Sequence, residues 1–205
     1  MKILVTAGPT REFIDDVRYI SNASSGKMGF ACAGAARAAG HKVTLVTGPA
    51  ELPDPKGVTV VRVVSADEMR AAAMKAYRAC DAVIATAAVC DYRPAKRVAG
   101  KIKKGPSRET LALVRTPDIL GEMGAKKDGR TLVGFALESQ NARANAVEKL
   151  AKKNLDAVVL NAPSSFGADA MDATVFHADG SSETLRRVSK KTLARLLVRF
   201  IEGLA

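Results

Sequence analysis

Short apolar runs and longer helical stripes alternate along the chain, and their order already suggests an architecture. The run Lys2 to Ala7 predicts a buried strand, and Lys27 to Ala39 an Ala-rich helix closed by Gly40. Lys42 to Thr47 and Val58 to Val64 predict two further strands. Ser65 with Glu68 three residues on has the spacing of a capping box for a helix running to Ala79. Asp81 to Ala88 is almost continuously apolar, the pattern of a parallel strand covered on both faces. After a break the alternation resumes, with a helix over Pro117 to Ala125, a strand over Thr131 to Ala136, a helix over Asn141 to Lys153 and a strand over Asp156 to Leu160. A loop through Phe166-Gly167, two short strands (Ala173 to His177, Glu183 to Arg187) and a helix from Lys190 close the chain. In that helix Leu193, Leu196, Leu197, Phe200, Ile201 and Leu204 form a stripe that reads as core. Strands alternating with crossover helices predict an α/β fold, a three-layer α/β/α Rossmann-like arrangement around a mostly parallel sheet.

Two stretches interrupt the rhythm. From about 9 to 25 an insertion separates the first strand from its helix, and it carries Arg11, Arg18, Asn22, Ser24 and Ser25 among apolar Phe13, Ile14, Val17, Tyr19 and Ile20. A dinucleotide fold would cross this interval through a compact G-x-G-x-x-G turn, and only Gly8 sits at the turn. A Walker A loop fails too, because Met28 follows Gly26-Lys27. Loops this long are functional or disordered, and the apolar residues argue for packing over a ligand or onto a partner chain. From about 89 to 116 an arm leaves the sheet; its Lys101-Ile102-Lys103-Lys104 alternation predicts a strand with Leu111 to Arg115 as a hairpin partner. The whole chain reads as one domain, residues 1–205, with these two insertions.

Composition narrows the function. Hydrophobic residues make up 47% of the 205 residues, enough for a full core, and no run approaches the roughly 18 apolar residues of a membrane span. A soluble, cytoplasmic protein is expected. Cys32, Cys80 and Cys90 lack C-x-x-C spacing, and His41 and His177 are far apart, so neither a zinc site nor a histidine triad is expected. Cys32 reads as core, whereas Cys90 sits among candidate ligand residues. The net charge of +11 fits either nucleic acid or small polyphosphates; only 4% aromatic residues and no Trp weigh against single-strand binding.

In open α/β sheets ligands bind beyond the carboxyl ends of the strands. Those ends hold Gly8-Pro9-Thr10, Gly48, Ala87-Ala88 with Asp91, Phe135 with Glu138, and Asn161. By spacing alone Asp91 reads as a magnesium or nucleotide ligand or as a turn residue. Lys101 and Lys103 read as phosphate contacts or as charges protecting a sheet edge, and Lys149 with Lys153 as a phosphate clamp or a solvated helix stripe.

GPTRE followed by VRYISNASSGKMG, then AAVCDYRP, KIKK, TPDIL, VGFALES and EKLAKKNLD resemble, in order and spacing, the signature blocks of phosphopantothenoylcysteine synthetases across most of the chain. The resemblance implies an enzyme that joins 4'-phosphopantothenate to L-cysteine through an acyl-nucleotide intermediate, a step of coenzyme A biosynthesis. It implies nucleotide contacts at Ala87, Asp91, Lys101, Pro117, Asp118, Ile119, Leu120, Phe135, Lys149 and Lys153. Substrate contacts fall on Arg18, Asn22 and Ala88, and catalytic roles on Asn22, associated with the acyl intermediate, and Lys101, opposite developing phosphoryl charge. Mg²⁺ is expected mainly through the triphosphate, with Asp91 as its protein ligand, and a homodimer is expected with Arg18 in a flap at the interface. A phosphopantothenoylcysteine decarboxylase, fused or separate, is the expected partner, with no nucleic acid and no membrane. The bacterial character of the KIKK and lysine-pair blocks points to CTP as the nucleotide, with ATP as the alternative. Departures are Cys90 in place of a small residue, Leu137-Glu138-Ser139, and Asn161-Ala162-Pro163 without the expected Asp. Two readings from other classes stay open: an NAD(P)-dependent oxidoreductase, against which the missing glycine fingerprint speaks, and a nucleic-acid-binding module.

Overall fold

In the computed structural model, which describes residues 1–105, 110–138, 140–162 and 168–205, eight strands form one central sheet. Six are parallel: β1 (Lys2–Ala7), β4 (Lys42–Thr47), β5 (Thr59–Arg62), β6 (Ala82–Ala85), β9 (Thr131–Leu137) and β10 (Ala157–Asn161). The antiparallel pair β11 (Ala170–His177) and β12 (Ser182–Ser189) extends one edge, giving the order β12-β11-β10-β9-β6-β1-β4-β5. This is the expected mostly parallel sheet, with a closing hairpin longer than the alternation predicts. Phe166-Gly167, and the Ser139 and Pro163 of the two departures, lie outside the described residues.

Both faces of the sheet are covered, which explains why its central strands are apolar on successive positions. On one face α1 (Lys27–Ala38) and α5 (Lys190–Gly203) pack Cys32, Ala33, Leu193, Leu197 and Ile201 against Ile3, Val5 and Ile84. On the other face α2 (Ala66–Tyr77), α3 (Ile119–Ala125) and α4 (Ala142–Lys152) pack Met69, Met123, Ala146 and Leu150 against Leu4, Val83 and Leu132. Of the α5 stripe, Leu193, Leu197 and Ile201 are core and Phe200 packs against them, as the periodicity predicts, but Leu196 is only half-buried and Leu204, just past the helix end, is exposed; Cys32 is core. Ser65 accepts the Glu68 amide at 3.2 Å; the Glu68 carboxylate reaches the Val64 amide rather than that of Ser65, a capping box shifted by one residue. No helix among the described residues is long and apolar enough to cross a membrane.

The first insertion is more ordered than a loop. Its β2 (Arg11–Phe13) and β3 (Tyr19–Ser21) pair as a hairpin, and buried Glu12 ties it to the sheet domain by accepting the Ala66 amide at the start of α2. In the second insertion β7 (Tyr92–Pro94) pairs with β8 (Leu113–Arg115). The expected strand over Lys101 to Lys104 is absent: this segment is irregular, because its backbone groups bond to the turn of the first hairpin rather than to a neighbouring strand.

One close approach fixes the rim above the sheet. A Cβ on Gly48, just beyond β4, would stand 1.7 Å from the Pro9 carbonyl oxygen, so only glycine lets the ends of β1 and β4 meet.

Candidate active site

The chain passes from β1 to β4 on one side of β1 and returns to β6 on the other. This switch of direction opens a crevice at the carboxyl ends of the strands, where α/β sheets bind ligands. A cavity of about 760 Å³ fills it. Its floor is Thr6, Ala85 to Val89 and Phe135; one wall is Ser24 to Gly29 at the start of α1, and the other is Thr116 to Leu120 with Lys149 and Lys153. Gly26 caps α1 with a φ of +74° that favours glycine and offers no side chain to the first turn, so backbone amides at the helix start remain open to the cavity that Ser24 to Gly29 line.

Of the residues singled out from sequence, Asn22, Ala87, Ala88, Asp91, Pro117, Asp118, Ile119, Leu120, Phe135, Lys149 and Lys153 all line this cavity. The Asn22 amide donates to the Ala88 and Val89 carbonyls at 3.0 and 3.1 Å, so the end of the first hairpin is stitched to the loop after β6. Asp118 caps α3 by accepting the Gly121 amide at 3.0 Å, and it accepts the Lys153 ammonium at 2.8 Å. Burial alone would raise the Asp118 carboxyl, but the Lys153 contact and the Gly121 amide outweigh it and hold the group below the usual carboxylate range. Lys149 donates to the Phe135 carbonyl. Burial, and then the nearby charge of Lys153, lowers its pKa; Glu138, Asp118 and Asp91 act the other way. Two like charges held together in a half-enclosed space favour an anion between them.

Arg18 and Lys101 are the exceptions: neither lines the cavity. The Arg18 guanidinium is bound to Asp15 and to the Ile102 carbonyl, and Lys101 is exposed on the arm beside it. The interactions of the first hairpin hold both of them away from the cavity of their own chain.

Sequence reasoning missed Lys27 and Lys190 as cavity residues. Each opens a helix, where a lysine pattern reads as solvated surface. Lys27 pairs with Asp169 at 2.8 Å, and Lys190 is buried, with its ammonium on the Ala168 carbonyl. The only available signal is their shared position at helix starts on the ligand side of the sheet.

Cys90 is buried, its amide bonded to the Thr10 hydroxyl at 3.0 Å and its sulfur 3.6 Å from the Thr10 carbonyl. Burial pushes its thiol up, as it does Cys32, and Cys80 to about 11. None is an activated nucleophile. Among the described residues no three His, Cys, Asp or Glu side chains gather to cage a metal. Asp91 and Asp118 facing one cavity suit Mg²⁺, which takes one or two carboxylates and completes its shell with substrate phosphates.

The DNA/pantothenate metabolism flavoprotein C-terminal domain model matches residues 1–204. The chain belongs to this family. It is 44% identical over 208 residues to the coenzyme A biosynthesis bifunctional protein CoaBC of Bacillus subtilis, covering 99% of this chain and 51% of that protein. The CoaBC of Escherichia coli is 43% identical, over 97% of this chain and 50% of its own length. The chain therefore spans about half the length of the curated relatives it matches. A crystal structure of the CoaBC C-terminal domain superposes with a TM-score of 0.86 at 41% identity, covering 99% of this chain and 94% of that one. A Cab2 variant in complex with phosphopantothenate-cysteine shares the fold, with a TM-score of 0.80 at 15% identity. The resemblance read from the motifs, to phosphopantothenoylcysteine synthetases, thus holds over the whole chain.

Proposed function

We propose that this family member is the ligase that joins 4'-phosphopantothenate to L-cysteine in coenzyme A biosynthesis, using CTP and releasing CMP and pyrophosphate. The observation that carries this reading is the gathering of Asn22, Asp91, Asp118, Lys149 and Lys153 around one cavity at the switch point of the sheet. A carboxylate is a poor acyl donor because its leaving group would be oxide. In this reading its oxygen attacks the α-phosphorus of CTP, a P–O bond forms, and pyrophosphate departs. The amine of cysteine then attacks the acyl carbon; an amide forms, CMP leaves with the bridging oxygen and the electron pair of the broken C–O bond, and the amine proton is lost to solvent.

Such chemistry is positioning and charge neutralisation. Lys149 and Lys153 hold phosphates, α3 through Asp118 shapes the wall beside them, and the Asn22 amide orients the acyl group. Bound Mg²⁺, held by Asp91 and the triphosphate, would neutralise phosphoryl charge. No protein nucleophile is needed, in keeping with the buried thiol of Cys90.

Arg18 and Lys101 fit this reading in a dimer. The hairpin and arm that carry them also expose Val17, Tyr19, Tyr92, Val98, Leu113 and Val114, apolar surface that a partner copy could cover. Pairing two copies through it would bring Arg18 to the phosphate of the acid, and Lys101 to the reacting phosphoryl group, in the partner's cavity. The length of the CoaBC relatives favours a decarboxylase partner, fused or separate, and a cytoplasmic location belongs to the same reading.

The test is pyrophosphate release with each component omitted in turn. Release is expected only when CTP and 4'-phosphopantothenate are both present, and Lys101→Gln is expected to suppress it. Release with either absent would overturn the reading, and equal rates with ATP would overturn the nucleotide choice.

A further inference from the structure

Asp15 sits at the turn of the first hairpin with its side chain fully buried, yet it is ionised. Burial would raise its carboxyl, but the amides of Arg18 and Val17, the Arg18 guanidinium and the Ile102 amide together hold it well below the usual carboxylate range. One oxygen accepts the Val17 and Arg18 amides at 2.8 and 2.7 Å. The other accepts Nε and Nη2 of Arg18 at 2.9 and 2.6 Å and the Ile102 amide at 3.1 Å.

The first pair is what any aspartate does to close its own turn. The Ile102 bond is different, because it reaches a segment 87 residues away. It is reinforced on both sides. Arg18 Nη2 donates to the Ile102 carbonyl at 2.8 Å, and the neighbouring Asp16 accepts the Gly100 amide at 2.8 Å while its own amide donates to the Gly100 carbonyl. Both amide groups of Gly100 and of Ile102 are thus held by the hairpin turn, and the residue between them is Lys101. Its backbone is pinned on each side while its side chain stands in solvent. Four bonds from one turn thus anchor a segment that has no strand partner, and they bracket Lys101.

We propose that Asp15 is a positioning residue for the ligase reaction, holding the Arg18 guanidinium and the backbone beside Lys101 in one rigid frame, with Asp16 as its surface partner. The inference rests on the reading of Lys101 given above. The carboxylate touches no substrate. Its effect reaches the reaction through Lys101, where a displacement of about 1 Å is enough to cost roughly 100-fold in rate.

The test uses the full-length chain with Asp15→Asn and with Asp16→Asn, the second a half-exposed change that leaves the buried turn intact. Two readouts are taken. Limited trypsin digestion follows cleavage after Lys101, Lys103 and Lys104, which does not depend on activity. Each variant is expected to be cut there at least about tenfold faster than the parent, with the rest of the chain protected. In pyrophosphate release, Asp15→Asn is expected to lower kcat by about 100-fold and Asp16→Asn by about tenfold, with KM for CTP little changed. In a Lys101→Gln background either change is expected to cost less than about threefold more, because the residue acted upon is already gone. Multiplicative losses in that background, or unchanged cleavage at the arm, would overturn the proposal. Should Asp15→Asn fail to fold, the Asp16→Asn results decide it alone. A parent chain that releases no pyrophosphate would sink the ligase reading and the role of Lys101, while altered cleavage would still report the frame itself.

Discussion

Lys149 offers the sharpest test of the cavity. It is a lysine with a lowered pKa, through burial first and then Lys153, so at neutral pH the folded protein carries its charge at a cost. Because its native pKa lies below the unfolded value of about 10.4, the unfolded chain binds the proton more tightly in the window between them. Stability therefore rises as pH climbs through that window, and the penalty is fully present below it. Lys149→Met keeps the length of the side chain and removes the charge. The ligand-free variant should melt at or above the temperature of the parent at pH 7, and the difference should shrink toward pH 10 as the parent loses its penalty. The nucleotide tells the opposite story. A charge-assisted bond to phosphate contributes about 1.5–3 kcal/mol, so the variant should bind CTP about 10- to 150-fold more weakly. At a CTP concentration of about 100 Kd the parent gains about 2.7 kcal/mol, and a variant weakened 100-fold retains about 0.4 kcal/mol. For a chain of this size the thermal shift should fall from about 5–10 °C to about 1–2 °C. Thermal melts with and without CTP at both pH values measure all of this. A ligand-free melting point lowered by more than about 3 °C, together with an unchanged CTP shift, would mean that Lys149 serves only as a structural donor to Phe135, and the reasoning would fail.

Other expectations follow from single contacts. Gly48→Ala should destabilise the protein by about 1–3 kcal/mol or more, read as a lower melting temperature, since its Cβ would meet the Pro9 carbonyl at 1.7 Å. Cys90→Ala should keep pyrophosphate release within about threefold of the parent, and none of the three cysteines should react with iodoacetamide at pH 8 while the protein is folded. Mixing a chain inactivated by Asn22→Ala with one inactivated by Lys101→Gln should restore part of the activity, because mixed dimers rebuild one cavity with both residues; no recovery would place Lys101 in the cavity of its own chain.

The sheet was legible in the sequence because its strands are buried on both faces and read as apolar runs, and the helices between them because their stripes keep a 3.6-residue period. The cavity followed from chain order alone, since strand-end residues such as Ala87, Asp91 and Phe135 must converge at the carboxyl edge. The arm was not legible. Lys101 to Lys104 alternate as an edge strand would, but the backbone of Ile102 bonds to Asp15 and Arg18, and that of the preceding Gly100 to Asp16, partners that no local pattern reveals. The hairpin of β2 and β3 escaped for a related reason: three residues per strand give too short a period to detect. The position of Arg18 relative to the cavity depends on that hairpin, so it was hidden with it. Lys27 and Lys190 were hidden because spacing alone does not distinguish a helix start that faces a ligand from one that faces water.

The most direct measurement is the fate of oxygen-18 placed in the carboxylate of 4'-phosphopantothenate during turnover with CTP and cysteine. Attack of the carboxylate on the α-phosphorus predicts one labelled oxygen in CMP and none in pyrophosphate. Label in pyrophosphate or free phosphate, or unlabelled CMP, would contradict the acyl-cytidylate route.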